Sequence, residues 1–185
     1  MASSINASTS GAGGVITTAD NTGTLQLQSG GTTIATISST GITTQVGAPA
    51  FSAYANATQS IANSTFTKVL FQVEEFDTNS NFASSRFTPT VAGYYQVNSA
   101  VYIQAISNQA LCSIYKNGVL YKNSPYITGN GGDAGALVSA IVYLNGTTDY
   151  IELYANQNSG STKTIYGVAD SPQITWFNAA MIRSA

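Results

Sequence analysis

The densest group of ionisable side chains in the chain is Glu74-Glu75-Phe76-Asp77. Two carboxylates can cleave a glycosidic bond when they flank the sugar at about 5 Å or about 6.5–9.5 Å. Neighbouring residues of a strand point to opposite faces, so Glu74 and Glu75 do not converge. Glu75 and Asp77 can share a face and hold a metal weakly. The other reading is a solvated loop ahead of a strand, and we take it. The sole cysteine, Cys112, lies in Leu111-Cys112-Ser113-Ile114. A reactive thiol needs a neighbouring cation or base, and the chain has no histidine, so Cys112 reads as a small core residue. The lack of histidine also removes Ser-His and Cys-His nucleophile pairs and most zinc sites.

The loop Thr128-Gly129-Asn130-Gly131-Gly132-Asp133-Ala134-Gly135 offers one carboxylate, where a calcium cage takes several oxygen ligands. It lacks the Gly-Lys-Ser/Thr ending and following helix of a phosphate loop, and reads as a flexible tip. Gly160-Ser161-Thr162-Lys163-Thr164 lacks the same context. No catalytic residue, metal ligand set or cofactor site emerges, and the expectation is a protein that is not an enzyme. The remaining chemistry belongs to tyrosine. Tyr115, Tyr121, Tyr126 and Tyr166 fall near expected loops or strand ends, where an amphipathic ring can stack on a sugar or a partner protein.

Six Lys and Arg against eight Asp and Glu give a net charge of -2, with 8% charged residues. Soluble proteins carry about 25%, so this surface is built from uncharged polar groups or is hidden in an assembly. So few cations make no basic stripe for nucleic acid. No run of about 18 apolar residues offers a membrane span, and the first residues lack the pattern of a signal peptide. One cysteine forms no internal disulfide. The sequons at Asn6, Asn56, Asn63 and Asn145 are what an Asn- and Thr-rich chain produces by chance.

The elements that must position these residues fall into two segments. Residues 1–47 hold no Phe, Tyr or Trp. Thr24-Leu25-Gln26-Leu27-Gln28 alternates apolar and polar residues as a half-buried strand does. Ser29-Gly30-Gly31 makes a turn into a second strand, Thr32–Ser38, and Ser39-Thr40-Gly41 leads to Ile42-Thr43-Thr44. Strands this small are marginal alone and need partners. Residues 1–19, with Ser10-Gly11-Ala12-Gly13-Gly14, read as a flexible tether or a segment that orders on docking. From Ala48 onward strand signals are dense: Phe51–Tyr54, Thr65–Phe71, Phe82–Phe87, Tyr94–Ile103, Ala110–Tyr115, Val119–Lys122, Leu137–Leu144, Tyr150–Ala155 and Ile174–Ile182. Asn117-Gly118 is a tight hairpin signal. No window holds a capped helical period, and the class is all-β, a sandwich or jelly roll.

Several stretches carry a resemblance. Ala50-Phe51-Ser52-Ala53, Phe76-Asp77, Arg86-Phe87-Thr88-Pro89-Thr90-Val91-Ala92-Gly93-Tyr94-Tyr95, Ile114-Tyr115-Lys116-Asn117-Gly118, Leu144-Asn145-Gly146 and Tyr150-Ile151-Glu152-Leu153 follow one another in order. They resemble the globular head of the complement C1q family, a ten-stranded jelly roll shared with tumour necrosis factor. The last strand departs from the pattern, with Asn178-Ala179 where the family has Ser-Gly. The resemblance implies an antiparallel C1q/TNF-like jelly-roll sandwich over residues 48–185 and a homotrimer whose axis is packed by aromatic and aliphatic side chains. Phe51, Tyr94, Tyr95, Tyr102, Trp176, Phe177 and Met181 are the candidates for that axis or for the core. Gly93 is expected in a turn with positive φ.

Asn21–Gln28 and Gly30–Ile37 resemble the short repeats of bacteriophage fibre proteins, which implies an attachment stem over residues 1–47. Together the two resemblances imply a virion protein: a fibre or decoration spike joined to a capsid or tail protein by its N-terminus, with a head that can touch a host-surface glycan or protein. Nucleic-acid binding and membrane insertion are not expected. The alternative is a free bacterial C1q-like binding module, whose activity would survive loss of residues 1–47. A polysaccharide depolymerase would need Glu75 and Asp77 as its acid pair.

Overall fold

The computed structural model describes residues 3–7, 15–18, 21–45, 47–170 and 172–185. It divides into two compact units, Met1–Ala48 and Pro49–Ala185, and no helix occurs among the described residues.

The first unit holds β1 (Ser3–Ala7), β2 (Val15–Thr18), β3 (Leu25–Ser29), β4 (Thr32–Ile37) and β5 (Thr43–Gln45) in one sheet of order β2-β1-β3-β4-β5. β1 runs parallel to β3 and the other pairs are antiparallel. Part of the tether expected over residues 1–19 is therefore strand, while Ser10-Gly11-Ala12-Gly13-Gly14 lies outside the described residues. No described side chain from Asn21 to Ala48 is buried. Ile34 is 48% and Ile42 65% exposed. Among the described side chains from Asn21 to Ala48, none supplies the packed layer that stabilises a domain.

The second unit contains β6 (Ala50–Tyr54), β7 (Gln59–Ile61), β8 (Thr67–Lys68), β9 (Val73–Asp77), β10 (Phe82–Ala83), β11 (Arg86–Phe87), β12 (Ala92–Ile106) and β13 (Gln109–Lys116). β14 (Val119–Asn123), β15 (Ile127–Thr128), β16 (Gly132–Asn145), β17 (Ile151–Gln157), β18 (Lys163–Ile165) and β19 (Trp176–Ser184) complete it. One sheet runs β7-β18-β12-β19-β6-β9, with β16 also on β12. The other runs β10-β11-β17-β13-β14, with β15 on β13 and β8 on β17. Every pair in this unit is antiparallel.

Alternation along the strands builds the core. In β12 the odd residues Tyr95, Val97, Val101 and Ile103 are fully buried, as period two requires of a strand with one covered face. Ile151, Leu153 and Ala155 of β17 face them from the other sheet. Phe51 is the aromatic centre, stacked on Phe82 at 4.4 Å and Phe87 at 4.6 Å and edge-on to Phe177 at 5.1 Å. Cys112 lies in the same core, its thiol pushed up to about 11 by burial.

Four local expectations are revised. Gly93 is not a turn residue: it is buried inside β12, where an added Cβ would sit 2.5 Å from the Arg183 carbonyl oxygen of β19. Glu74–Asp77 is strand β9 and not a loop, and a bulge opposite Ser52 and Ala53 leaves Glu75 out of the ladder. Of Thr65–Phe71 only Thr67–Lys68 is strand. The tip Thr128–Gly135 is pinned, with Asp133 accepting hydrogen bonds from the Ala105 N–H at 2.9 Å and the Tyr102 hydroxyl at 3.2 Å. Those bonds hold a bulge in β12 where Ala105 takes a φ of 55°.

Candidate functional site

Two surfaces of the second unit are unlike the rest. The first is the outer face of the β16-β12-β19-β6 sheet. Residues opposite each other in a ladder share a face, so the registers assemble it in rows. Tyr143, Tyr94 and Arg183 form one row; Ile141, Gln96, Ala180 and Ala50 the next. Then come Ser139, Asn98, Asn178 and Ser52, followed by Leu137, Ala100, Trp176 and Tyr54. The middle is a hydrogen-bonded amide layer. Gln96 Nε2 donates to Ser139 Oγ at 2.8 Å, Ser139 Oγ to Asn98 Oδ1 at 2.8 Å, and Asn98 Nδ2 to Asn178 Oδ1 at 3.2 Å. On either side lie exposed apolar side chains: Tyr94, Leu137, Ile141 and Tyr143, with Ile182 beside them. Tyr94 and Tyr143 meet at 5.4 Å. Arg183 is the one charged residue in the four rows.

The second surface is the outer face of β17 and its neighbours. Glu152 is 3% exposed, and its Oε1 meets Lys68 Nζ at 2.7 Å and Arg86 Nε at 2.9 Å. The guanidinium carbon of Arg86 sits over the Tyr150 ring, 3.8 Å from its centre. The turn Ser84-Ser85, with φ of 51° and 57°, leads directly into Arg86, while Lys68 comes from β8. Ser84 gives its carbonyl to Lys68 Nζ, and Ser85 Oγ receives the Phe71 N–H. Burial alone would raise the Glu152 carboxyl, but hydrogen bonds and charge from Lys68 and Arg86 outweigh it and hold the group below its ordinary value of 4.5. A carboxyl lowered by folding binds fewer protons in the native state, so its stabilisation is present above 4.5 and is lost as the pH falls through the lowered folded value. Melting temperature between pH 3 and 7 is expected to drop on the acid side of that window, by about a few degrees less in Glu152→Gln. An identical acid slope in the variant would remove this group from the account.

The four candidate tyrosines separate. Tyr121 and Tyr126 are exposed. Tyr115 is half-buried, stacked on Tyr154 at 4.0 Å, and Tyr166 is half-buried against Tyr102 at 6.1 Å. The latter two each pack on a neighbouring tyrosine, and Tyr166 also lines a surface pocket with Asn56 and Ile174. Phe51, Tyr95 and Phe177 are core residues, and Met181 is packed against the core. Tyr94, Tyr102 and Trp176 alternate onto the outer face. Glu75 Oε2 accepts from Ser52 Oγ at 2.6 Å, while Asp77 receives the Phe82 N–H at 2.7 Å, so each has a structural partner. No cluster of three potential metal ligands occurs among the described residues. Sequence reasoning missed Glu152, Lys68 and Arg86, whose partners lie 84 and 66 residues apart.

No protein-family model and no curated protein matches the chain. Solved structures do. The globular domain of zebrafish complement 1qA superposes with a TM-score of 0.50 at 17% identity, covering 74% of this chain and 99% of that one. Murine APRIL superposes with a TM-score of 0.56 at 10% identity, covering 73% and 99%. Eiger TNF from S. frugiperda gives 0.55 at 8%, covering 75% and 95%. The chain therefore contains a C1q/TNF-like jelly roll, and at these identities the likeness is one of fold.

Proposed function

We propose that the protein is a non-enzymatic homotrimer of a virion, a fibre or decoration spike whose first unit attaches it to a capsid or tail protein and whose jelly roll projects outward. The observation that carries the trimer is the outer face of the β16-β12-β19-β6 sheet. A monomer gains nothing by exposing Leu137, Ile141, Tyr143, Tyr94 and Ile182 beside one another with a single cation among the rows. A patch of this kind marks an interface. Three copies meeting on this face would bury the apolar rows and stack the amide layers against one another, and the resemblance to C1q and TNF heads supports three-fold packing there. The first unit supports attachment, because its five-stranded sheet has no buried described side chain and needs other chains to cover it. The fibre-like repeats of residues 21–37 support the virion setting.

Light scattering of the intact chain at micromolar concentration is expected to give three times the 19.2 kDa of one chain. A monomer would overturn the trimeric spike. Removing residues 1–48 separates the virion reading from the free binding module: the spike loses incorporation into particles, whereas a module keeps its binding.

A further inference from the structure

On the sheet opposite the self-association face, a pocket of about 530 Å³ is lined by Lys68, Arg86, Asn81 and the hydroxyl residues Ser80, Ser84 and Thr88. Two of the chain's six Lys and Arg stand here. With Glu152 behind them the cluster carries a net charge of +1, two cations against one carboxylate. The carboxylate is a buried positioning group. Its Oε1 takes the Nε of Arg86 at 2.9 Å, and the guanidinium carbon rests 3.8 Å from the centre of the Tyr150 ring. A guanidinium has five N–H donors, and the two Nη groups of Arg86 make no hydrogen bond among the described residues. Lys68 Nζ, bonded to Glu152 and to the Ser84 carbonyl oxygen, has a third donor to give. The pocket therefore presents fixed, unspent donors of positive sign, with hydroxyls around them.

We propose that this pocket binds a saccharide residue bearing a carboxylate, with the acid group on the Nη fork of Arg86 and Lys68 Nζ, and the sugar hydroxyls on Ser80, Ser84 and Thr88. A planar fork matches a carboxylate bidentately, and a net charge of +1 balances a monoanion while leaving a phosphate dianion uncompensated. Preorganisation by Glu152 and Tyr150 removes the ordering cost that a free arginine would carry. The hydroxyl rim is what a polyol uses and a simple anion does not. This site gives the proposed host contact its chemistry but does not need the trimer, because it lies on the other sheet.

The test is an amide-shift titration of the intact protein with a glucuronate-containing disaccharide. The same disaccharide with its carboxylate reduced to the alcohol, and sodium sulfate, are the comparison ligands. The acidic sugar is expected to saturate at about millimolar concentration, moving the amides of Ser84, Arg86 and Thr88, with the reduced sugar about tenfold weaker. Arg86→Lys keeps a cation over Glu152 but loses the fork, and is expected to weaken binding about tenfold at unchanged melting temperature. Thr88→Val, which leaves the ion cluster intact, is expected to weaken it about threefold. Equal affinity for the acidic and reduced sugars, no saturable shift with the acidic one, shifts mapping to another surface, or sulfate binding as tightly as the sugar would each overturn the proposal. The solution mass tests the assembly separately.

Discussion

Replacing Ile141 by aspartate is expected to dissociate the proposed trimer to single chains of 19.2 kDa without unfolding the jelly roll. Ile141 is 53% exposed on β16, opposite Gln96 of β12, in the row beside Tyr143 and Tyr94. In a single chain the change touches solvent, and surface substitutions of that kind stay within about 0.5 kcal/mol. In the assembly the carboxylate would be removed from water with no cation in its row. The effective penalty for an unpaired buried ion is several kcal/mol, and three symmetric copies repeat it around one axis. Dissociation should follow at micromolar concentration, read by light scattering, while strand content and the melting transition of the isolated chain persist. Lys122→Asp on β14 of the other sheet is the control and should keep the mass at three chains. A trimer that survives Ile141→Asp would place the interface elsewhere.

The contrast between those two positions was only partly visible in the sequence. Alternation along Tyr94–Ile103 marks a strand with one buried face, because period two is local and needs no partner. The Asn117-Gly118 hairpin is legible for the same reason: both residues take positive φ, 53° and 76°, as a two-residue hairpin turn of the primed kind requires. What alternation does not give is register. Tyr94, Tyr143, Ile141 and Leu137 become one surface only after β16 is set against β12, whose paired positions there lie 37 to 49 residues apart. Gly93 shows the same limit at one residue, since its need for a missing Cβ comes from the β19 backbone and not from its own turn. The Glu152 cluster was illegible because its cations arrive on two distant strands, β8 and β11, the second after a turn made of two serines at positive φ that composition does not announce. The fold class was written in local pattern, the two surfaces in pairings between distant strands.

Phe51→Ala tests the core that holds both surfaces in place, and its expected cost is about 3–5 kcal/mol of unfolding free energy. Phe51 is fully buried and touches Phe82 and Phe87 from one sheet and Phe177 from the other. Deleting it removes transfer free energy and leaves a cavity whose walls are rings on rigid strands, which collapse poorly. Domains are stable by about 5–15 kcal/mol, so the loss is a large share. For a chain of this size it corresponds to about 6–20 °C in melting temperature. Phe66→Ala removes the same atoms from a ring that is 39% exposed and lies 5.8 Å from the Tyr115 ring. It should cost about 1 kcal/mol, so a matched pair of melting curves separates burial from residue type. Phe51 also sits on β6, which pairs with β19 in the proposed interface sheet, and it packs on Phe82 and Phe87 at either end of the turn that carries Arg86 to Glu152. The variant should therefore lose trimer mass and sugar binding together on warming, at the temperature where its core melts. Ile141→Asp should remove the assembly and spare sugar binding, whereas Arg86→Lys should weaken sugar binding and spare the assembly.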